Sequence, residues 1–148
     1  MYQKILLAYD GSREGRAALR QGAEIATALQ AETHLLAVIR PMPNLGFSDG
    51  MVSDSYYENE RKQYQGILDE GVAKLLSKGL QATGHLLYGE PIQQIKLFAR
   101  EYNIDLIVAG HRHRSRLARW WSGSLDVSLL DDSPCSLLIA VLDENDQN

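Results

Sequence analysis

Residues Gly110 to Arg119 read Gly-His-Arg-His-Arg-Ser-Arg-Leu-Ala-Arg, four arginines and two histidines with no acid, in a chain of formal net charge -4. Such a cluster suits an anion. Guanidinium groups match phosphate oxygens in pairs, and the amides of a strand-to-helix loop add a concave set of donors. The same residues also suit a solvated basic loop, or one bridged to acids such as Asp126 and Asp131. Gly123-Ser124 follows at the expected start of a helix, where free amides and the macrodipole attract phosphate. Alone it is an ordinary helix start; thirteen residues after Gly110 it is more informative. The third candidate is Asp10, which ends the first strand-like run. Its carboxylate can accept from a ribose hydroxyl or a base amine, and Asp10-Gly11-Ser12 serves equally as a turn and helix cap. The two roles are compatible.

Absent motifs narrow the chemistry. No Gly-x-x-x-x-Gly-Lys-Ser/Thr occurs, and no Gly-x-Gly-x-x-Gly follows the first strand, so neither a P-loop nor the dinucleotide fingerprint is present. A phospho-accepting aspartate needs further acids at the end of its strand, and the first strand here ends Leu-Leu-Ala-Tyr-Asp. Cys135 is the only cysteine, which excludes an intrachain disulfide and a cysteine-based zinc site. It reads as a small packed residue, with no histidine nearby in sequence to activate it. His34 and His85 fall on expected strands and read as structural rather than metal ligands. Trp120-Trp121 read as covering the basic loop or packing under it, and an exposed pair would suggest a contact surface. No general base and nucleophile stand at workable spacing, so no catalytic residue is assigned.

The elements that must position these residues follow from periodicity. Lys4 to Tyr9 is a short apolar run, as in a strand buried on both faces. Residues 13–29 carry apolar positions at helical spacing, with Ser12 as cap. Thr33 to Ile39 is a second strand, ended by Pro41 and Pro43. Residues 41–53 are loop. A helix runs from Ser53 or Asp54 to about Ser77, with Gly79 as its stop. Gln81 to Tyr88 is a third strand, and Pro91 opens a helix that continues to Tyr102. Asp105 to Ala109 is a fourth strand, followed by the ten-residue basic loop and a helix from about Ser122 to Asp131. Ser136 to Leu142 is a fifth strand. Alternating strands and helices imply an α/β domain, an open parallel sheet with helices on both faces. In such sheets ligands sit beyond the carboxyl ends of the strands, where strand order reverses. Asp10 and Gly110 both end strands.

The length, 148 residues, is that of one domain able to build a core without disulfide or metal. We expect one domain over residues 1–142 and an acidic tail over 143–148. Hydrophobic residues make up 45% and charged residues 23%, a globular composition rather than a disordered one. The net negative charge argues against a generic DNA binder. No apolar run approaches the ~20 residues that span a bilayer, and with the strand-like run starting at Lys4 no signal peptide is expected ahead of it. The expected location is the cytoplasm.

Four separated features together resemble the universal stress protein family: the first strand with Asp10-Gly11-Ser12, the strand Asp105-Leu106-Ile107-Val108-Ala109-Gly110, the Gly123-Ser124 step, and Ser133-Pro134-Cys135 before the final strand. The resemblance spans Lys4 to Val141. It implies a Rossmann-like, adenine nucleotide alpha hydrolase-like fold, a single-domain five-stranded sheet of order 3-2-1-4-5, and a homodimer paired through the fifth strand, Ser136 to Val141. One branch of the family binds ATP through Gly-x2-Gly-x9-Gly-Ser/Thr. Gly110 and Gly123-Ser124 match its ends, and His113 replaces its middle glycine. Carried over, Asp10 and the backbone of Ala8, Tyr9 and Val38 would hold the adenosine end. Gly110, Arg112, His113, Gly123, Ser124, Leu125 and Asp126 would face the phosphates of ATP or AMP, with magnesium.

His113 and Asp126 oppose that site. A left-handed backbone at 113 would cost about 1–2 kcal/mol relative to glycine, the imidazole fills space that phosphate oxygens would use, and Asp126 adds negative charge. Arg112, Arg114 and Arg116 add positive charge that the motif does not require. The resemblance therefore implies either a nucleotide-binding stress-response module, at most a very slow hydrolase, or a dimeric interaction protein of the same fold that binds no nucleotide.

Overall fold

The computed structural model describes residues 1–11, 13–41, 54–111 and 131–141. Five strands, β1 (Lys4–Ala8), β2 (Glu32–Ile39), β3 (Ala82–Tyr88), β4 (Leu106–His111) and β5 (Ser136–Val141), form one sheet of order β3-β2-β1-β4-β5. Every neighbouring pair is parallel. Three helices are described, α1 (Arg13–Leu29), α2 (Asp54–Ser77) and α3 (Pro91–Glu101).

Strand alternation sorts the core into two layers. Ile5, Leu7 and Tyr9 point to the face covered by α1 and α2, against Leu19, Ala23, Leu68 and Leu75. Leu6, Ala8, Leu36 and Val38 point to the opposite face, against Ile92, Ile95 and Phe98 of α3. Central strands buried on both sides read as unbroken apolar runs, which is why Ile5 to Ala8 and Leu35 to Val38 show no polar alternation. Asp105 ties the start of β4 to β1: its carboxylate accepts from the backbone N–H groups of Gln3 at 2.8 Å and Lys4 at 3.1 Å.

The boundaries differ from the sequence reading by one residue at the end of β1 (Ala8, not Tyr9), the starts of β3 (Ala82, not Gln81) and β4 (Leu106, not Asp105) and the end of α3 (Glu101, not Tyr102). They depart at three further places. β2 begins at Glu32, because Lys4 of β1 already pairs with it. β4 extends to His111, so Gly110 and His111 belong to the strand and not to the basic loop. Their basic and glycine-rich composition reads as loop, but β5 supplies ladder partners, Ala140 for Gly110 and Val141 for His111. Asp131 stands in a turn rather than a helix; the rest of the expected helix, 122–130, lies outside the described residues. That turn is held by α3, with Lys96 Nζ donating to the Asp131 carbonyl and Arg100 bridging Asp132 at 2.8 Å.

Candidate functional site

Strand order reverses between β1 and β4. From β1 the chain moves outward through β2 to β3, then returns across the sheet by α3 to start β4 on the other side of β1. The helices after β1 and β2 cover one face and α3 the other, so the carboxyl ends of β1 and β4 part and leave a crevice. Asp10 stands at this point and is only 4% exposed. The ladder runs one residue past β1, with Tyr9 N–H donating to the Leu36 carbonyl at 2.9 Å. Strand alternation then puts Asp10 on the α3 side with Ala8 and Val38.

Gly11 turns the chain out of this position. Its φ is +80°, and a Cβ there would stand 3.0 Å from Ile67 of α2. The φ calls for glycine, since L side chains rarely adopt it, and a Cβ would also require Ile67 to shift slightly. The turn leads from Asp10 toward α1 and sets Gly11 against Ile67 of α2.

Ala8, Tyr9, Asp10 and Val38 are all buried, as is Gly110. β1 and β4 are neighbours, so the structure brings these four residues to the same edge as Gly110. Tyr9 points away from the others, into the α1–α2 layer. Only its backbone therefore stands at this edge. Arg112, His113, Gly123, Ser124, Leu125 and Asp126 lie outside the described residues, as do Trp120 and Trp121.

Two residues at this edge escape sequence reasoning. Arg40 follows β2 and Glu90 follows β3, and they form an ion pair at 3.5 Å. Gly89, at φ +141°, places Glu90 there by donating its N–H to the Ile39 carbonyl at 3.0 Å. The signal was available only as a charged residue within two positions of each strand's end.

Other reactive groups fall elsewhere. Cys135 is half-buried and packs against the α3-side cluster. Burial pushes its thiol above the ordinary cysteine range, which disfavours the nucleophilic thiolate. His34 and His85 pair with each other on the α3 face, toward the amino end of β2, away from Asp10. Among the described residues no three metal-ligating side chains gather, and no helix is long and apolar enough to cross a membrane.

Comparison with known proteins places this architecture. The profile of the universal stress protein family matches residues 1–140. The universal stress protein YxiE of Bacillus subtilis (strain 168) is 30% identical over 146 residues, covering 94% of this chain and 99% of that protein. A universal stress protein of Archaeoglobus fulgidus solved in complex with dAMP superposes with a TM-score of 0.64 at 20% identity, covering 93% of this chain and 97% of that one. An Arabidopsis thaliana family protein solved with AMP bound superposes with a TM-score of 0.71 at 15% identity, covering 99% and 95%.

Proposed function

The chain belongs to the universal stress protein family, and on that footing we propose that it binds an adenine nucleotide in the crevice between β1 and β4. The observation that carries this reading is the buried carboxylate of Asp10 at the switch point of the sheet. A carboxylate buried there fixes an acceptor where a ribose hydroxyl or a base amine can reach it. Ala8 and Gly110 are the smallest residue types available, and they keep the two strand ends narrow where a flat base would enter. The AMP and dAMP complexes of family members with the same fold support the choice of ligand class.

On this reading Asp10 and the backbone of Ala8, Tyr9 and Val38 hold the nucleoside, and Gly110, Arg112, His113 and Gly123 to Asp126 face the phosphates. His113 in place of a glycine favours a monophosphate over a triphosphate, because fewer phosphate oxygens then compete with the imidazole for space. Magnesium, where it takes part, would arrive with the phosphates of the nucleotide. The working unit is one cytoplasmic domain over residues 1–142, with 143–148 as an appended tail. Native mass spectrometry of gently purified protein tests the proposal. An adduct of AMP or ATP mass, lost in Asp10→Ala, is expected; a wild-type protein that stays bare after incubation with millimolar AMP would overturn it.

β5 supports a second feature of the same reading. Among the described residues it pairs only with β4 and forms one edge of the sheet, and Val141 at its end is 45% exposed. An apolar parallel edge invites pairing with a second copy about a two-fold axis. We take the protein as a homodimer through Ser136 to Val141.

A further inference from the structure

The Arg40–Glu90 ion pair stands on the nucleoside side of the crevice. The register of β1 with β2, Ala8 with Leu36, sets Asp10 level with Val38. Ala8 and Val38 face the α3 side, whereas Ile39 faces the other layer. Alternation returns Arg40, the next residue, to the face of Val38. Its partner Glu90 occupies the N-cap of α3, on that same face. Arg40 follows Val38 by two residues, a rise of about 7 Å along an extended chain. A flat two-ring base beside Val38 spans that gap.

Glu90 caps α3 without its side chain, for the carboxylate makes no capping bond. Its backbone is held on both sides. Gly89 N–H donates to the Ile39 carbonyl and Gln94 N–H to the Glu90 carbonyl, each at 3.0 Å. Pro91 fixes the start of the helix behind it. The carboxylate meets the Arg40 guanidinium at 3.5 Å, with side chains 53% and 38% exposed. An ion pair this open adds little to stability. A carboxylate also has acceptor capacity beyond one guanidinium contact.

We propose that Glu90, held by Arg40, reads the base: its carboxylate accepts from the exocyclic amine of adenine, while Asp10 accepts from the ribose. The inference rests on nucleotide binding in the β1–β4 crevice and names the residue that selects the base. With phosphates toward Gly110 and the nucleoside toward Val38, the base extends to the end of β2, where Arg40 and Glu90 stand. An ionised carboxylate is an acceptor only, so it suits an amine. A base with an oxygen at that position sets acceptor against acceptor. Contacts of this kind discriminate well, because an analogue without the donor leaves the polar group unanswered. Arg40 is the positioning residue, since its guanidinium limits where the long glutamate side chain can swing. A phosphate at Arg40 fits less well, because Glu90 already answers that charge.

The test compares AMP with purine riboside 5′-monophosphate, which lacks only the exocyclic amine. Both are titrated calorimetrically into the full chain. Wild type is expected to bind AMP about tenfold more tightly than the analogue. Glu90→Ala should weaken AMP alone and bring that preference below about threefold, whereas Glu90→Gln, whose amide oxygen still accepts, should keep it above that value. Arg40→Ala should lower the preference and Arg40→Lys restore it. Equal binding of the two ligands by wild type would overturn the proposal. So would an unchanged preference in either alanine variant, or equal weakening of both ligands in Glu90→Ala, the result of a plain staple between β2 and α3. No AMP binding by wild type would overturn the nucleotide reading itself, and this inference with it. AMP binding with an unchanged preference in Glu90→Ala overturns this inference alone. A thermal melt of each variant checks that the fold is kept.

Discussion

His34 and His85 meet ring to ring across the β2–β3 ladder, with Nδ1 of His34 3.0 Å from Nε2 of His85. His34 Nε2 in turn lies 2.7 Å from a carboxylate oxygen of Glu32. A carboxylate accepts, so Nε2 of His34 carries its proton. Neutral His34 then accepts at Nδ1, and His85 must donate from Nε2. With His34 neutral, one chain of bonds, Glu32 to His34 to His85, sets both tautomers. Phe98 and Tyr102 of α3 close over it, with Phe98 4.5 Å from the His85 ring centre and stacked on Tyr102. The pair therefore fastens the edge strand β3 to β2 and α3 together.

This arrangement predicts a loss of stability in mild acid. Burial first, and the neighbouring His34 second, hold His85 below the ordinary imidazole value. Facing the pair are Glu32 beside His34, Lys4 opposite Glu32 on β1, and Tyr102 on α3. In the unfolded chain the imidazole takes its proton near pH 6.5, and in the folded chain only at lower pH. Between those two values the unfolded state binds more protons, so stability falls as pH falls. The contribution is complete above about pH 6.5 and is lost as pH drops through the folded value. Urea denaturation at pH 7.5 and 5.5 should show this drop in wild type and a smaller one in His85→Gln, which keeps a donor but cannot titrate. Identical drops in both would contradict it.

Gly71 sets the distance between α2 and the sheet. A Cβ there would stand 2.5 Å from Leu35 and 3.1 Å from Tyr9, both fully buried. Gly71→Ala should destabilise by about 1–3 kcal/mol through overpacking, despite the better helix propensity of alanine. Gly66→Ala, whose Cβ would meet nothing within 4 Å, should be neutral or stabilising. Denaturation midpoints of the two variants decide the matter.

Much of this architecture was legible before the structure. Unbroken runs such as Ile5 to Ala8 mark doubly buried strands, and Asp10-Gly11 marks the turn that ends the first one. The order of the sheet was not readable from periodicity; it came from the family resemblance. Gly110-His111 misled because local composition says nothing of the ladder partners that β5 provides. His34 and His85, 51 residues apart, could not be joined until the register of β2 with β3 placed His85 beside Leu36. Arg40 and Glu90 were hidden for the same reason. Their neighbours belong to other elements.

Dimerisation through β5 predicts a clean effect at its exposed end. Val141 is partly exposed and its carbonyl accepts from Gln21 Nε2 of α1 at 3.4 Å, a bond that any side chain at 141 leaves in place. Val141→Asp would set two carboxylates near each other across a two-fold axis. Sedimentation velocity at micromolar concentration should give a dimer for wild type and a shift toward monomer for the variant. A wild-type monomer would contradict the assembly.

Calorimetric titration of AMP into wild type and Asp10→Ala, side by side, tests nucleotide binding in the β1–β4 crevice most directly. The account predicts a saturable heat for wild type and at least about tenfold weaker binding for the variant, the loss of one charge-assisted hydrogen bond. Adenosine should show the same dependence on Asp10, because the carboxylate acts on the nucleoside and not on the phosphate. No heat with wild type at millimolar AMP, or equal affinities in the two proteins, would contradict it.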